Sequence, residues 1–292
     1  MRRVLLPLAS ATSFPYHPVM AKISAFADEI GDDLEFQITT LRKNGVDNIE
    51  LRGVWGKNIL DLTSGEIATI AKAAANAGIG FSSIGSPIGK FGLERDFDEQ
   101  KEGVRKAAEF ANTIGARYIR VFSFYIPHGE DPADHRTQVI DWLGKLADIA
   151  EASGVILAHE NEANIYGDSG ERCLDLYQSI TSKSFTGVFD FANFVVYGHH
   201  PYDECWSILK PYITYFHIKD CRLADKVVVP AGEGDGDVKR ILADAYAGGY
   251  ENYLTLEPHL SKAGANSGKT SPELFGTAVT ALNKILDEIG AS

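Results

Sequence analysis

The sequence has little of three things that would point to particular classes of protein: cysteine, basic charge and long apolar runs. Its three cysteines are odd in number and show no CxxC spacing, so we expect reduced, structural thiols and no structural zinc site. Lys and Arg number 28 against 40 Asp and Glu, which gives a net charge of −12. This balance argues against a nucleic-acid partner, because such binding depends mostly on basic residues that neutralise phosphates.

The apolar runs are too short to predict a membrane-spanning helix. The N-terminus begins with basic residues, but the apolar run VLLPLA that follows is short and is interrupted by Pro7. We therefore interpret residues 1–21 as an N-terminal extension, or as a mis-assigned start with Met20 as the true one, in preference to an export signal. These features predict a cytoplasmic protein.

The remaining composition is that of an ordinary globular chain, with 45 % hydrophobic and 23 % charged residues. No low-complexity linker or shift in composition divides it, so we predict one domain over residues 22–292. A chain of 292 residues is within the usual range for an α/β barrel that folds as one domain.

Apolar runs typical of β-strands recur eight times along the chain. They cover residues 22–27, 46–52, 79–85, 116–123, 154–160, 185–190, 212–218 and 252–257. Helical patterns lie between them. One begins at a capping box formed by Thr63 and Glu66, and another at Ser271 with Pro272 in the first helical position.

Alternating strands and helices predict parallel strand pairing, and the number of strands favours a single-domain α/β fold, the (β/α)8 TIM barrel. The structural alternative is an open, doubly wound sheet. No GxGxxG motif follows the first strand, which makes a dinucleotide-binding version of that sheet less favoured.

Four consecutive predicted strands end in a potential metal ligand: Glu160, Asp190, His217 and Glu257. Any one of these alone is more often a solvated or hydrogen-bonded residue. Because active sites of TIM barrels lie at the carboxyl ends of the strands, all four should converge, and three carboxylates would repel one another unless a cation lay between them. This oxygen-rich set suits Mn²⁺, Mg²⁺ or Co²⁺, with Zn²⁺ less favoured.

At these residues the sequence resembles the xylose isomerase-like TIM barrel superfamily, which includes the sugar phosphate isomerase/epimerase family. The resemblance covers about residues 22–289. Its motifs are SAFADEI (24–30), IELR (49–52), HEN (159–161), VFDFANF (188–194), YFHIKD (215–220), GEGDGDV (232–238) and LTLEPH (254–259).

The resemblance implies that Glu160, Asp190, His217 and Glu257 bind one divalent metal ion, with Mn²⁺ favoured. It also implies that Glu160 and Glu257 are catalytic and move a proton next to the carbonyl of an open-chain ketose or polyol-derived ketone through an enediolate. A metal-dependent lyase or dehydratase acting on a keto-sugar or keto-inositol is the alternative, and a non-catalytic sugar-binding barrel is a third. A small sugar or polyol is the expected partner, and relatives suggest a homodimer or homotetramer.

Three further residues are candidates for substrate binding. Asn193 lies where many sugar-active relatives carry His, and it can form hydrogen bonds but cannot act as an acid or base. Arg222 occupies a position similar to a substrate-binding Arg of the epimerases. Lys219 shares the strand face of His217 and either contacts substrate, orients a ligand or forms a salt bridge, for example with Asp220.

Two more candidates for substrate binding follow the second strand. Arg52 shares a strand face with Glu50, so the pair could instead form a salt bridge inside the barrel. Trp55 could form an apolar wall over a sugar, although packing in a loop is the more usual role for such a residue. The Gly-rich stretch GEGDGD (232–237) is too acidic for a phosphate site, so we interpret it as a structural turn with Asp237 as a helix N-cap.

The stretch HENE (159–162) offers two glutamates on one side of the strand. Depth favours Glu160, because Glu162 lies two residues, roughly 6.6 Å, further out. We therefore predict that Glu160 is the ligand and base, that Glu162 lies at the rim, and that His159 and Asn161 support the ligands.

Overall fold

The computed structural model describes residues 21–261 and 268–292, so the extension predicted over residues 1–21 lies, apart from Ala21, outside the described residues. Eight parallel strands close into a barrel, each paired with the neighbours that precede and follow it, and the first pairs with the last. The strands are β1 (Lys22–Ala25), β2 (Asn48–Leu51), β3 (Gly80–Ile84), β4 (Tyr118–Val121), β5 (Ile156–Glu160), β6 (Phe185–Asp190), β7 (Ile213–Ile218) and β8 (Tyr253–Leu256). The predicted (β/α)8 TIM barrel is confirmed.

Helices connect the strands around the outside of the barrel. The longer ones are α1 (Leu34–Lys43), α2 (Ser64–Ala77), α3 (Phe97–Ile114), α4 (Pro132–Ala152), α5 (Gly170–Ser179), α6 (Phe191–Val196), α7 (Val238–Ala247) and α8 (Pro272–Ile289). A π-helix (Pro201–Trp206) continues into a short α-helix (Ser207–Leu209) and a 3₁₀ turn (Lys210–Tyr212). Other 3₁₀ turns are Ala27–Glu29 and Ile59–Asp61, and two hairpins pair Gly53–Val54 with Lys57–Asn58 and Asp220–Cys221 with Val228–Val229.

Local sequence signals explain where most helices begin. Both hydrogen bonds of the Thr63–Glu66 capping box form at the start of α2, and the Ser271 hydroxyl accepts a hydrogen bond from the first turn of α8. Asp237 occupies the predicted N-cap position of α7, but its side chain does not form the expected cap. Its backbone is left-handed, with φ of 55°, and its side chain caps no backbone group of α7.

Alternation along the strands divides the core into two layers. Between the barrel and the helices lie outward-facing residues such as Leu157, Phe189 and Phe216. Inside the barrel, Tyr118, Ala158, Val188 and Tyr215 form a separate small cluster. Because strand residues two apart share a face, the next inward positions toward the carboxyl ends carry the polar residues of the site.

No helix in residues 21–261 or 268–292 is both long enough and apolar enough to cross a lipid bilayer.

Candidate metal centre

Four potential ligands meet at the carboxyl ends of four adjacent strands. Glu160 and Asp190 are the last residues of β5 and β6, His217 is the penultimate residue of β7, and Glu257 follows β8. One ligand atom from each lies within 4.8 Å of the others, and all four residues are buried. The arrangement follows from strand alternation, because each ligand stands two residues beyond an inward-facing position of the same strand and so points into the barrel as well.

His217 lies between the two glutamates. Its Nδ1 is 3.1 Å from Oε1 of Glu160 and 3.6 Å from Oε2 of Glu257, while its Nε2 is 3.2 Å from Oε2 of Glu50. A carboxylate that pairs with Nε2 of a histidine fixes the ring orientation, which here leaves Nδ1 directed at the centre of the cluster. Glu50, which the sequence suggested as a partner of Arg52, is instead the residue that orients His217.

The hydrogen bonding of the potential ligand atoms indicates whether they could bind a cation. Among the described residues, Asp190 Oδ2 and His217 Nδ1 are buried and form no hydrogen bond of good geometry, although Lys219 Nζ lies 2.8 Å from the first atom and Glu160 Oε1 3.1 Å from the second. Buried polar atoms are almost always hydrogen-bonded, so an exception needs an explanation, and a bound ion is one of them. Two such atoms within one cluster of carboxylate and imidazole ligands fit a divalent ion.

Burial and crowding of charge shift the pKa values in this cluster. Burial raises the pKa of Asp190 to about 7, with Lys219 opposing the shift and Glu160 adding repulsion. Burial by itself would lower the pKa of His217, but Glu160 and Glu50 raise it to about 10. The crowded carboxylates therefore favour protonated or positively charged groups beside them. A divalent cation at the centre would be stabilised for the same reason.

Lys219 extends into the centre from the end of β7. Its Nζ lies 2.8 Å from Oδ2 of Asp190 and 3.4 Å from Oε2 of Glu257, and its side chain is 7 % exposed. Lys219 therefore lies beside the ligands. It does not form the salt bridge to Asp220 that was considered from the sequence.

Asp220 points the other way and fills the turn formed by GEGDGD. Its carboxylate accepts hydrogen bonds from the backbone N–H groups of Gly232, Gly234, Gly236 and Cys221. A Cβ on Gly234 or Gly236 would lie 2.3 or 2.7 Å from Asp220 Oδ1, so side chains are excluded there. The glycine-rich turn does form an anion cradle, and its anion is a side chain of the same protein.

Two asparagines connect the ends of β5 and β6. Asn161 donates from Nδ2 to the backbone oxygen of Asp190 and accepts through Oδ1 from its N–H, both at 2.9 Å. Asn193 donates to the backbone oxygen of Asn161 at 2.9 Å and more weakly to Glu160 Oε1 at 3.4 Å. The structure thus brings both asparagines against the ligands, where the sequence predicted a supporting role for Asn161 and substrate binding for Asn193.

A family model described as xylose isomerase-like TIM barrel matches residues 38–285. The chain belongs to this family. No curated protein matches the sequence. Among solved structures, a D-tagatose 3-epimerase-like protein superposes with a TM-score of 0.75 at 17 % identity, with 92 % of this chain and 98 % of that chain covered.

Two further solved structures show the same fold. The probable 3-DHS dehydratase AsbF from Bacillus anthracis has a TM-score of 0.72 at 15 % identity, over 90 % of this chain and 98 % of its own. A xylose isomerase-like TIM barrel protein from Mycobacterium smegmatis, in complex with magnesium, has a TM-score of 0.71 at 17 % identity, over 94 % of this chain and 98 % of its own. At these identities the likeness establishes the fold alone.

In this xylose isomerase-like barrel, Arg52 lies at the centre but with other partners than predicted. Its Nε donates to Asp28 at 2.9 Å and its Nη1 to Glu257 Oε1 at 3.1 Å, and it forms no salt bridge with Glu50. Two other predicted substrate residues are not brought to the centre. Arg222 is exposed and paired with Asp225, and Trp55 lines an outer cleft between α1 and α2.

His159 does not support the ligands as predicted. It faces away from Glu160 because neighbouring strand residues point to opposite sides. Its ring packs against Tyr177 and Phe185 between the barrel and α5, and burial lowers its pKa to about 3. It is a neutral core residue.

Glu162 lies at the rim, where its Oε2 is 2.9 Å from Nζ of Lys90. It is not one of the four clustered ligands. Glu160 thus lies among the ligands and Glu162 further out, at the relative depths predicted from the strand.

Arg120 of β4 was not predicted as a site residue, but it is buried and donates to Glu160 Oε2 at 3.3 Å. A signal was available in the run ARYIRVFS. Arg120 stands two residues after Tyr118, an inward-facing core residue, and a cation at an inward position of an apolar strand needs an acidic partner. His259, from the motif LTLEPH, was also missed and lies 3.3 Å from Glu257 Oε1.

Proposed function

We propose that this chain is an isomerase or epimerase that binds one divalent metal ion and moves a proton next to the carbonyl of an open-chain ketose or polyol-derived ketone. One observation carries the proposal: ligand atoms of Glu160, Asp190, His217 and Glu257 converge within 4.8 Å in a buried centre. Such a centre combines the ligands for a Lewis acid with two carboxylates able to act as bases.

The donor set favours a hard cation. Three carboxylates and one imidazole suit Mn²⁺ best, with Mg²⁺, Co²⁺ or Zn²⁺ as alternatives. The similar structure from Mycobacterium smegmatis contains magnesium, which supports a divalent ion of this class.

A divalent ion held by these residues would polarise the carbonyl of an α-hydroxy ketone and acidify the adjacent C–H. In the proposed reaction one of the two glutamates, Glu160 or Glu257, accepts the proton from carbon, and the electron pair left behind forms an enediolate. The other glutamate, which is protonated before the step, gives its proton to the opposite face of the same carbon, and this yields the epimer. The isomer forms instead when the proton returns to the former carbonyl carbon while the hydroxyl proton moves from one enediolate oxygen to the other.

Lys219 and Asn193 complete the centre in this proposal. The Lys219 ammonium, next to Asp190 and Glu257, can also donate to a substrate oxygen that enters the centre. The amide of Asn193 already donates to Asn161 and Glu160, so its proposed role is to hold Glu160 in place.

A lyase or dehydratase is the second candidate. The same bases would form the carbanion, and Lys219, 3.4 Å from Glu257, is an acid able to protonate a departing hydroxyl group. The superposable structure from Bacillus anthracis is itself a probable dehydratase. A sugar-binding barrel without turnover remains the third prediction.

One experiment separates these candidates. The protein is incubated with Mn²⁺ in deuterated water and a panel of ketoses and keto-inositols, and products are followed by NMR. The proposal predicts deuterium at the carbon next to the carbonyl, and a loss of at least about 100-fold in Glu160→Gln and in Glu257→Gln because each removes a base. Glu162→Gln is the matched control.

Each other outcome has a definite meaning. Loss of water from a substrate would support the dehydratase. Binding of a panel member without exchange or product would support the non-catalytic barrel and contradict the isomerase. A cytoplasmic location and a homodimer or homotetramer remain predictions, for which fractionation and light scattering are the measurements.

A further inference from the structure

Two buried arginines contact the two proposed bases one to one. Arg120 Nη1 lies 3.3 Å from Glu160 Oε2, and Arg52 Nη1 lies 3.1 Å from Glu257 Oε1. The arginine side chains are only 6 % and 5 % exposed. Buried guanidinium groups are costly unless they are paired, so these contacts are specific features of the site.

The arginines contact different carboxylate oxygens from those that face the centre. Toward Nδ1 of His217, Glu160 presents Oε1 at 3.1 Å and Glu257 presents Oε2 at 3.6 Å. Each glutamate thus has one oxygen paired with an arginine and the other directed at the ligand cluster. A carboxylate fixed at one oxygen can point its second oxygen in only a narrow range of directions.

A single aromatic ring connects the arginines. The guanidinium carbons of Arg52 and Arg120 lie 4.3 and 5.0 Å from the centroid of the Phe26 ring, and that ring meets His217 edge-on at 5.1 Å. Gly85 allows this packing, because a Cβ there would lie 2.6 Å from Phe26 and 3.0 Å from Arg52. Stacking and pairing together hold both guanidinium planes.

Most of the remaining donors of both arginines contact other protein groups. Arg120 contacts the backbone oxygens of Gly85 and Ser86 through Nη2 at 3.2 and 3.3 Å. Arg52 donates through Nε to Asp28, and its Nη2 faces Glu29 Oε1 at 3.7 Å. The hydrogen bonds that both arginines donate go to protein groups, and Nη2 of Arg52, which donates none, is buried. These contacts favour a positioning role for Arg52 over the substrate-binding role first considered.

From these contacts we propose that Arg120 and Arg52 are positioning residues, each of which sets the direction of one glutamate. Arg120 acts on Glu160 and Arg52 acts on Glu257, so the two bases are aligned separately although both arginines share Phe26. The inference rests on the proposed function, in which these glutamates are ligands and bases.

The test compares Arg120→Met, Arg120→Lys, Arg52→Met and Arg52→Lys in the full chain, with Arg136→Met, an exposed arginine paired with Asp175, as the control. Circular dichroism and thermal melting establish folding. The first readout is Mn²⁺ affinity and the Mn²⁺ electron paramagnetic resonance spectrum. The second is the rate of deuterium exchange, measured separately from each epimer of a substrate found in the panel.

The proposal predicts a 10- to 100-fold weaker affinity for Mn²⁺ and an altered spectrum in both Met variants, because groups that orient metal ligands have effects of about this size. Arg120→Met should slow exchange mainly from the epimer whose C–H faces Glu160, and Arg52→Met mainly from the other. The Lys variants should recover part of each effect. Arg136→Met should match the wild type.

Folded Met variants with wild-type Mn²⁺ affinity, spectrum and exchange would overturn the proposal, and so would equal slowing from both epimers by each variant. If a Met variant does not fold, a Lys variant that is fully wild-type in all readouts contradicts it, and one that shows the selective loss supports it. If the wild type binds Mn²⁺ but exchanges no substrate, the proposed function fails, while the affinity and spectrum still decide the roles of the arginines.

Discussion

At the level of single residues, two glutamates two positions apart in HENE have different surroundings. Glu160 faces His217 and the other ligands, whereas Glu162 pairs with Lys90 at the rim. We expect Glu160→Gln to weaken Mn²⁺ binding at least about tenfold and Glu162→Gln to change it less than about twofold, because only the first removes a charged ligand. Isothermal titration measures both, and equal effects would contradict the assignment of Glu160.

The cysteines provide a second prediction at this scale. Burial raises the pKa of Cys205 to about 12 and of Cys221 to about 11, and it raises that of Cys173 well above its usual value. Since the reactive species is the thiolate, buried thiols with raised pKa values should react very slowly. We expect no labelling of the native protein by a maleimide within minutes and three labels after unfolding, as read by mass spectrometry. Rapid labelling of the native protein would show that a thiol is accessible.

The four ligand positions could be predicted from sequence because each follows an apolar run at the same depth and facing the same side. The residues that contact these ligands could not be predicted in the same way. Strand parity places Glu50 and Arg52 on one face but does not say that Glu50 contacts His217 across the barrel while Arg52 contacts Glu257. Those contacts depend on barrel closure, which brings β2 close to β7 and β8.

At the level of elements, the loop after β7 is organised around the buried Asp220 carboxylate. Asp220→Ala would remove the acceptor for backbone N–H groups of Gly232, Gly234 and Gly236, so we expect a loss on the order of 3 kcal/mol in the free energy of unfolding. Asp220→Asn, which keeps one acceptor oxygen, should lose less. Denaturant unfolding measures the losses.

The control for this loop is Glu233→Ala, since Glu233 is an exposed member of the same turn. It should change the free energy of unfolding by less than about 0.5 kcal/mol. A stable Asp220→Ala protein would show that the turn holds its shape without the carboxylate.

Element positions were largely predictable because hydrophobic periodicity and caps are local properties. All eight strands and the starts of α2 and α8 were located in this way. The N-cap position of Asp237 was also predicted, but the missing side-chain cap was not. Residues 232–236 wrap around Asp220, and the chain leaves this turn at Asp237 with a left-handed backbone.

At the level of the whole molecule, the centre joins β2, β4, β5, β6, β7 and β8, so a bound ion should stabilise the entire barrel. A ligand that binds only the folded state at about 1,000 times its Kd adds about 4 kcal/mol to the free energy of unfolding. We expect Mn²⁺ to raise the melting temperature in a concentration-dependent way, EDTA to reverse the rise, and Asp190→Asn to reduce it. Equal responses of wild type and variant would indicate binding elsewhere.

The most direct test of the central claim is the position of manganese in a crystal grown with Mn²⁺, located by anomalous diffraction. We predict one strong peak among Glu160, Asp190, His217 and Glu257. Glu29, Glu257 and His259 form another compact group of potential ligands, but the Arg52 guanidinium lies beside it, 3.1 Å from Glu257 Oε1 and 3.7 Å from Glu29 Oε1. A peak only at that second group, or no peak at either, would contradict the assignment of the metal centre.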